Sequence, residues 1–325
     1  MEQAIKDFHK QFVWKPAIIN AGKLRPVKRF IVGGMGGSHL AAGIFQSFRP
    51  EIPLFIHRDY GVPKLLPADV KESLFIASSF SGNTEEALDF GEQALKAGFS
   101  VAAIAKGGKL LQFAAAHKLP HVVLPPTNIQ PRSGLGYQIL ALTALIGDTR
   151  SEKELHELAS VLKPEELRSK GEALAETIRS AVPIIYSSTR NGAVAYNWKI
   201  KFNETGKIPA FYNVFPELNH NEMTGFDVTQ TTEGLSRKFH FIFLTDSADH
   251  PQIQKRMKVI KKLYEDRGLP VIEVPLEGKS PLEKMFTSLL IADWTAFYTS
   301  RLYGTEAEQV PMVEEFKRLI TGTSN

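Results

Sequence analysis

The 325-residue chain has no cysteine. That excludes disulfides, thiolate nucleophiles and thiolate metal ligands, while leaving the compartment open. It has no His-x-His or His-Glu-x-x-His motif, and Pro120 interrupts the pair His117 and His121, whose i, i+4 spacing would otherwise align two rings on a helix. No metal site is expected. No run approaches the ~20 apolar residues of a membrane span. The segment Met1 to Asp7 is charged and lacks the apolar core of a signal peptide, so a cytoplasmic protein is expected. The dinucleotide fingerprint is also missing: Gly34-x-Gly36 is followed by His39 where the third glycine should stand. Gly278-Lys279-Ser280 has Glu273 where a Walker A loop needs its first glycine. Nucleotide binding is therefore disfavoured. Charge of one sign is scarce too, with 39 Lys and Arg against 35 Asp and Glu, a net charge of +4. Only Lys255 to Lys262 is locally basic. Without an aromatic-interleaved basic stripe or a helix-turn-helix region, nucleic-acid binding has no support.

Apolar residues make up 43% and charged residues 23%, ordinary values for globular proteins, and the length allows two domains with cores of their own. From 28 to about 148, short apolar runs alternate with helical stretches. Strands are predicted at 28–33, 53–57, 73–78, 100–105 and 121–125, which implies a mostly parallel sheet covered on both faces. Residues 1 to about 25 read as a leading helix and lead-in. Residues 151 to 181 read as connector helices. A second α/β unit follows, with strands at 183–186, 240–244 and 270–274 and helices at 192–203, 250–267 and 281–303. The expected fold is α/β with two doubly wound domains, 1–150 and 151–325.

The most informative stretch is Ser79-Phe80-Ser81-Gly82-Asn83-Thr84, between a predicted buried strand and the helix predicted from Glu85 to Ala97. Free N–H groups and the helix dipole favour an anion at such a place, and Ser and Thr add neutral donors for phosphate oxygens. An ordinary N-cap is the competing explanation. A second loop, Gly33-Gly34-Met35-Gly36-Gly37-Ser38, also follows a strand and precedes a helix. Two such loops in one α/β domain point to a shared ligand crevice at the strand C-termini, suited to a small phosphorylated molecule. In the second half, Ser187 to Gly192 echoes the glycine loop, but Asp246 and Asp249 follow the next strand and would repel phosphate. One phosphate site, in the first half, is expected.

These loops resemble the SIS (sugar isomerase) family. Pro131-Arg132-Ser133-Gly134-Leu135-Gly136-Tyr137, Asn203-Glu204-Thr205-Gly206-Lys207 and Pro216-Glu217-Leu218-Asn219-His220-Asn221-Glu222 extend the resemblance to the bifunctional phosphoglucose/phosphomannose isomerases, which carry two SIS domains. The matches span most of the chain in the family's order. One departure is His39, where a small residue is expected; it would crowd the first loop or cap its helix.

The resemblance implies an aldose–ketose isomerase, acting on glucose 6-phosphate or mannose 6-phosphate through an enediolate without metal or other cofactor. It places Gly36, Gly37, Ser38, Ser79, Ser81 and Thr84 around the phosphate. Glu204, by its local sequence a solvated helical residue, becomes the base that moves a proton between C1 and C2, a task for a partly desolvated carboxylate. His220, locally just a loop histidine, becomes the group that opens the sugar ring. Arg132, otherwise an exposed or helix-packing arginine, would stabilise the enediolate. Lys317, in a helix of a common Glu/Lys type, corresponds more loosely to an active-site lysine. In the family this histidine typically comes from a neighbouring subunit, which implies a homodimer with shared active sites. The alternative is a phosphosugar-binding regulator, which has no use for Glu204, His220 and Arg132 together. An amidotransfer-linked aminosugar synthase would need a cysteine-dependent glutaminase region, which this chain lacks.

Overall fold

A computed structural model describes residues 1–64 and 70–320. The chain divides into two compact units. The first comprises Lys6–Pro164 with Gly278–Phe286, and the second Met1–Ile5, Glu165–Glu277 and the chain from Thr287 onward.

The first unit is built on a six-stranded sheet of order β1-β6-β5-β4-β2-β3. Its strands are β1 (Ile18–Ile19), β2 (Arg29–Gly33), β3 (Leu54–His57), β4 (Ser73–Ser79), β5 (Ser100–Ala105) and β6 (His121–Val123). β2 to β6 run parallel and β1 pairs antiparallel with β6. Every residue of β4 is buried, as a central parallel strand covered on both faces requires. Ile31, Phe75, Phe90, Val101 and Leu110 form the core where the helices Glu85–Lys96 and Gly108–Ala116 cover the sheet. The chain passes from β2 to β3 on one side, then returns to lay β4 on the other side of β2. The reversal makes a topological switch point between β2 and β4, where such sheets open a crevice beyond the strand C-termini.

The second unit has a four-stranded parallel sheet of order β10-β9-β7-β8. Its strands are β7 (Val182–Ser188), β8 (Phe211–Phe215), β9 (Phe239–Thr245) and β10 (Val271–Pro275). Tyr186, Phe215, Phe241, Phe243 and Tyr264 dominate its core. Its reversal, between β7 and β9, repeats the topology of the first unit.

The α/β class and the parallel sheets agree with the sequence expectations. The leading segment agrees only in part, its helix being short. It forms a short helix, Glu2–Lys6, a 3-10 segment, Phe8–Val13, and then β1. β8 was not anticipated. It is an edge strand whose Phe211 and Tyr212 are exposed, so it lacks the continuous apolar run of a covered strand.

Candidate functional site

The two donor-rich loops are the loops that follow β2 and β4, so both lie at the switch point of the first sheet. Their packing is close. A Cβ on Gly34 would stand 2.7 Å from the Ser78 carbonyl oxygen. Ser78 Oγ donates to the Ser38 carbonyl at 3.0 Å, and the Phe80 N–H donates to Ser38 Oγ at 2.8 Å. Ser38 thus joins the loops, and its hydroxyl still has its own proton to give.

The second loop is organised around Ser79, which is fully buried. Ser79 Oγ lies 2.8 Å from Thr84 Oγ1 and accepts from the Gly82 N–H at 3.0 Å. Gly82 has φ +77°, where a side chain would be strained, and it donates this bond from the bend. Ser81 is exposed and accepts from the Asn83 N–H at 3.2 Å. Thr84 caps the helix Glu85–Lys96 by position, without a side-chain bond to the helix N–H groups, which argues against a simple cap. Gly36 is exposed with φ +50°, and Gly37 is half-buried.

Arg132 sits beside the glycine loop. It belongs to a 3-10 turn, Pro131–Ser133, which precedes the helix Leu135–Ile146. A Cβ on Gly37 would stand 2.8 Å from Pro131 Cβ and 3.0 Å from the Arg132 nitrogen, so only glycine permits this approach. Buried Gln11 pins the turn: its Nε2 donates to the Ser133 carbonyl at 2.7 Å and its Oε1 accepts from the Gly136 N–H at 3.0 Å. Arg132 is 1% exposed. The loop carrying Gly36, Gly37 and Ser38 thus packs against both the loop carrying Ser79, Ser81 and Thr84 and the turn carrying Arg132, all within the first unit.

His39 is buried, with its pKa lowered to about 4 by desolvation and by the nearby Arg58 charge, against a raising hydrogen bond to the Gly36 backbone. The imidazole is neutral at pH 7 and makes no side-chain cap bond to the helix Leu40–Phe48. Two cations at this rim were not singled out from the sequence. Arg58 directly follows β3, and Lys106 directly follows β5, with its ammonium 5.5 Å from the Phe80 ring centre and 2.9 Å from the Thr127 carbonyl. The available signal was position: each is the first residue past a strand's C-terminus.

The remaining candidates belong to the second unit. Glu204 lies in a π-helical turn, Phe202–Gly206, that continues the helix Gly192–Lys201. Phe202, Thr205 and Gly206 are buried, whereas Asn203 and Glu204 are half-exposed. Asn203 Nδ2 donates to the Ile208 carbonyl at 3.0 Å, and Lys207 Nζ donates to the Glu204 and Gln309 carbonyls. π-turns of this kind recur at functional sites.

His220 is exposed and ends the 3-10 turn Glu217–Asn219. The segment is anchored on either side of it. Asn219 accepts from Arg256 at 3.2 Å, and Glu222 accepts from Tyr186 and Asn213. Burial and the Glu222 carboxylate push the Tyr186 hydroxyl far up, so it stays protonated as the donor. Lys317 is exposed on the helix Pro311–Ile320 and pairs with Glu314 at 2.8 Å.

The equivalent switch point of the second unit is closed by acids. Ser188 Oγ donates to Asp249 at 2.7 Å, and Asn191 Nδ2 lies 3.4 Å from Asp246 and 3.3 Å from Asp249. Its hydroxyl is committed to a carboxylate, and both acids are buried. Among the described residues, no group of three or more His, Asp or Glu could hold a metal ion, and no helix is long and apolar enough to cross a membrane.

Comparison with known proteins gives one consistent family. The profile of the bacterial phospho-glucose isomerase C-terminal SIS domain matches residues 167–320. A bifunctional phosphoglucose/phosphomannose isomerase of Aquifex aeolicus is 31% identical, covering 97% of this chain and 96% of its own. The enzyme of the same name from Thermoplasma volcanium is 32% identical over 92% of this chain and 93% of its own. Among solved structures, tagatose-6-phosphate ketose/aldose isomerase from Escherichia coli superimposes with a TM-score of 0.68 at 17% identity, covering 94% of this chain and 93% of that one.

Proposed function

The chain belongs to the bifunctional phosphoglucose/phosphomannose isomerase family, and from that premise we propose that it interconverts glucose 6-phosphate or mannose 6-phosphate with fructose 6-phosphate. The observation that carries this reading is the pair of hydroxyl-lined loops at the β2/β4 switch point, with a buried arginine beside them. A sugar phosphate meets there the Ser81 and Thr84 hydroxyls, the N–H groups of Gly36 and Gly37, and the remaining hydroxyl proton of Ser38. Ser79 holds the second loop in shape. The acids at the other switch point support one phosphate site per chain, in the first unit.

Glu204 is the base. Its carboxylate takes the C2 proton of the open-chain aldose and the electron pair passes into a C1–C2 enediolate. The carboxylic acid, whose proton exchanges with solvent before return, then delivers a proton to C1 while the O2 proton passes to O1, giving the ketose. Glu204 stands at a half-buried position between buried Phe202 and buried Thr205. Arg132 offsets the enediolate charge from a fixed, water-poor position. His220 donates and accepts the protons of ring opening. Lys317 is carried over on the family motif as an accessory cation.

The protein works as a cytoplasmic homodimer in this reading, with His220 supplied to the partner's site. Two features support a second copy. His220 is exposed on its own chain, and the helix Pro311–Ile320 presents Met312, Val313, Phe316, Leu319 and Ile320 to solvent, an apolar face of a kind that marks an interaction surface. We keep 1–150 and 151–325 as the two SIS domains at family level. The regulator alternative leaves Glu204, His220 and Arg132 without a task. A coupled assay with each aldose 6-phosphate, with and without chelator, tests the proposal. Fructose 6-phosphate should form in both conditions, and tight binding without turnover would support the regulator.

A further inference from the structure

Lys201 and Asp293 form an ion pair at 2.6 Å, with side chains only 2% and 4% exposed. Lys201 is the last residue of the helix Gly192–Lys201 and directly precedes the π-turn that presents Glu204. Asp293 lies within the long helix Pro281–Leu302. We propose that this pair is a positioning device for Glu204; the proposal rests on the reading of Glu204 as the base.

Two hydrogen bonds fix the Glu204 segment along the long helix. Trp198 Nε1 donates to Ser288 Oγ at 2.9 Å and Lys201 Nζ donates to Asp293 at 2.6 Å, while Gly206, beyond Glu204, faces Thr299 further along the same helix. The partners advance together, so the segment runs alongside the helix in one register. Apolar packing alone can hold two helices together, but it tolerates sliding and repacking better than a directed bond does. Burying two charges costs several kcal/mol per ion, and a buried pair replaced by apolar residues is often no less stable. Stability is therefore a poor reason for a lysine and an aspartate here. A single short bond with one solution in register supplies what apolar packing lacks. It acts one turn upstream of Glu204, while Phe202 and Thr205 anchor the turn itself on its buried side.

The test uses the full-length protein and a substrate carrying deuterium at C2. In Lys201→Met/Asp293→Leu both charges leave together, which avoids an unpaired buried ion. Expected are a folded protein, KM within about threefold of wild type, and kcat lower by roughly 10²-fold, the cost of a reacting group displaced by ~1 Å. The primary isotope effect on kcat should rise, because a misplaced base makes proton transfer limiting; general loss of folded protein would not move it. Asp293→Glu gives a second, independent reading. It keeps both charges and lengthens the acid by one methylene, so the isotope effect should rise while the melting temperature falls by only a few degrees. An unchanged isotope effect in Asp293→Glu overturns the proposal even if the double variant does not fold. Glu204→Gln is run alongside. If it is inactive while both pair variants keep the wild-type isotope effect, the positioning role alone fails. If it retains more than a tenth of wild-type turnover, the base assignment fails and takes this proposal with it.

Discussion

Gly37→Ala tests the packing that joins the glycine loop to Arg132. The new methyl would stand 2.8 Å from Pro131 Cβ, 2.9 Å from the Pro131 carbonyl carbon and 3.0 Å from the Arg132 nitrogen, where ordinary contact begins at 3.4 Å. None of these is the end of a flexible side chain, so backbone must yield by about half an ångström. Overpacking of this kind costs about 1–3 kcal/mol. For a unit of this size that lowers the melting temperature by roughly 3–10 °C. Because ~1 Å of misplacement can cost ~10²-fold, the displacement should lower kcat/KM by roughly tenfold. Thermal melting and the coupled assay read the two effects separately. Gly22→Ala is the control: nothing lies within 4 Å of its added Cβ, so it should stay within about 0.5 kcal/mol of wild type. Wild-type melting and kinetics in Gly37→Ala would refute the close approach of loop and arginine.

Three further outcomes are expected. Ser81→Ala/Thr84→Ala should mainly raise KM for the 6-phosphates, with some loss of kcat because phosphate binding energy is also used in the transition state; unchanged KM would move the phosphate elsewhere. His39 has a folded pKa of about 4 against 6.5 unfolded, so the unfolded chain binds the extra proton as pH falls. Its contribution, on the order of 3 kcal/mol, is complete above pH 6.5 and lost as pH falls through about 4. His39→Gln should flatten that part of the stability profile, and an unchanged slope in urea midpoints between pH 6.5 and 4 would contradict it. Mixing inactive His220→Ala with inactive Glu204→Gln should restore about a quarter of wild-type activity, since half the dimers are mixed and each has one intact site. No recovery after confirmed subunit exchange would place both residues in one chain's site.

Much of the fold was legible because parallel strands covered on both faces read as unbroken apolar runs. Leu74 to Ala77 and Phe241 to Leu244 are such runs, and both are buried in the sheets. β8 escaped because its sequence, Phe-Tyr-Asn-Val-Phe, serves a sheet edge, where two of its five residues face water. β1 has only two residues and carries no period at all. The phosphate loops were legible as composition between a strand and a helix. Their joining through Ser38 and Phe80 depends on which strands become neighbours, which local sequence does not encode. Arg132 reads as an exposed or helix-packing arginine on local grounds, and its turn is buried by contacts from Gly37 and Gln11, distant in the chain. The π-turn at Glu204 was likewise hidden, because an i to i+5 bond is chosen by anchoring at Phe202, Thr205 and Lys207 rather than by propensity.

The central claim is that Glu204 moves a proton between C1 and C2 of a sugar 6-phosphate. The most direct test is to incubate fructose 6-phosphate with the purified protein in deuterated water and follow the sugars by NMR. The account predicts glucose 6-phosphate or mannose 6-phosphate carrying deuterium at C2, and a rate lower by roughly 10²–10⁴-fold in Glu204→Gln. Absence of both aldoses, or a variant that keeps more than a tenth of the wild-type rate, would contradict it.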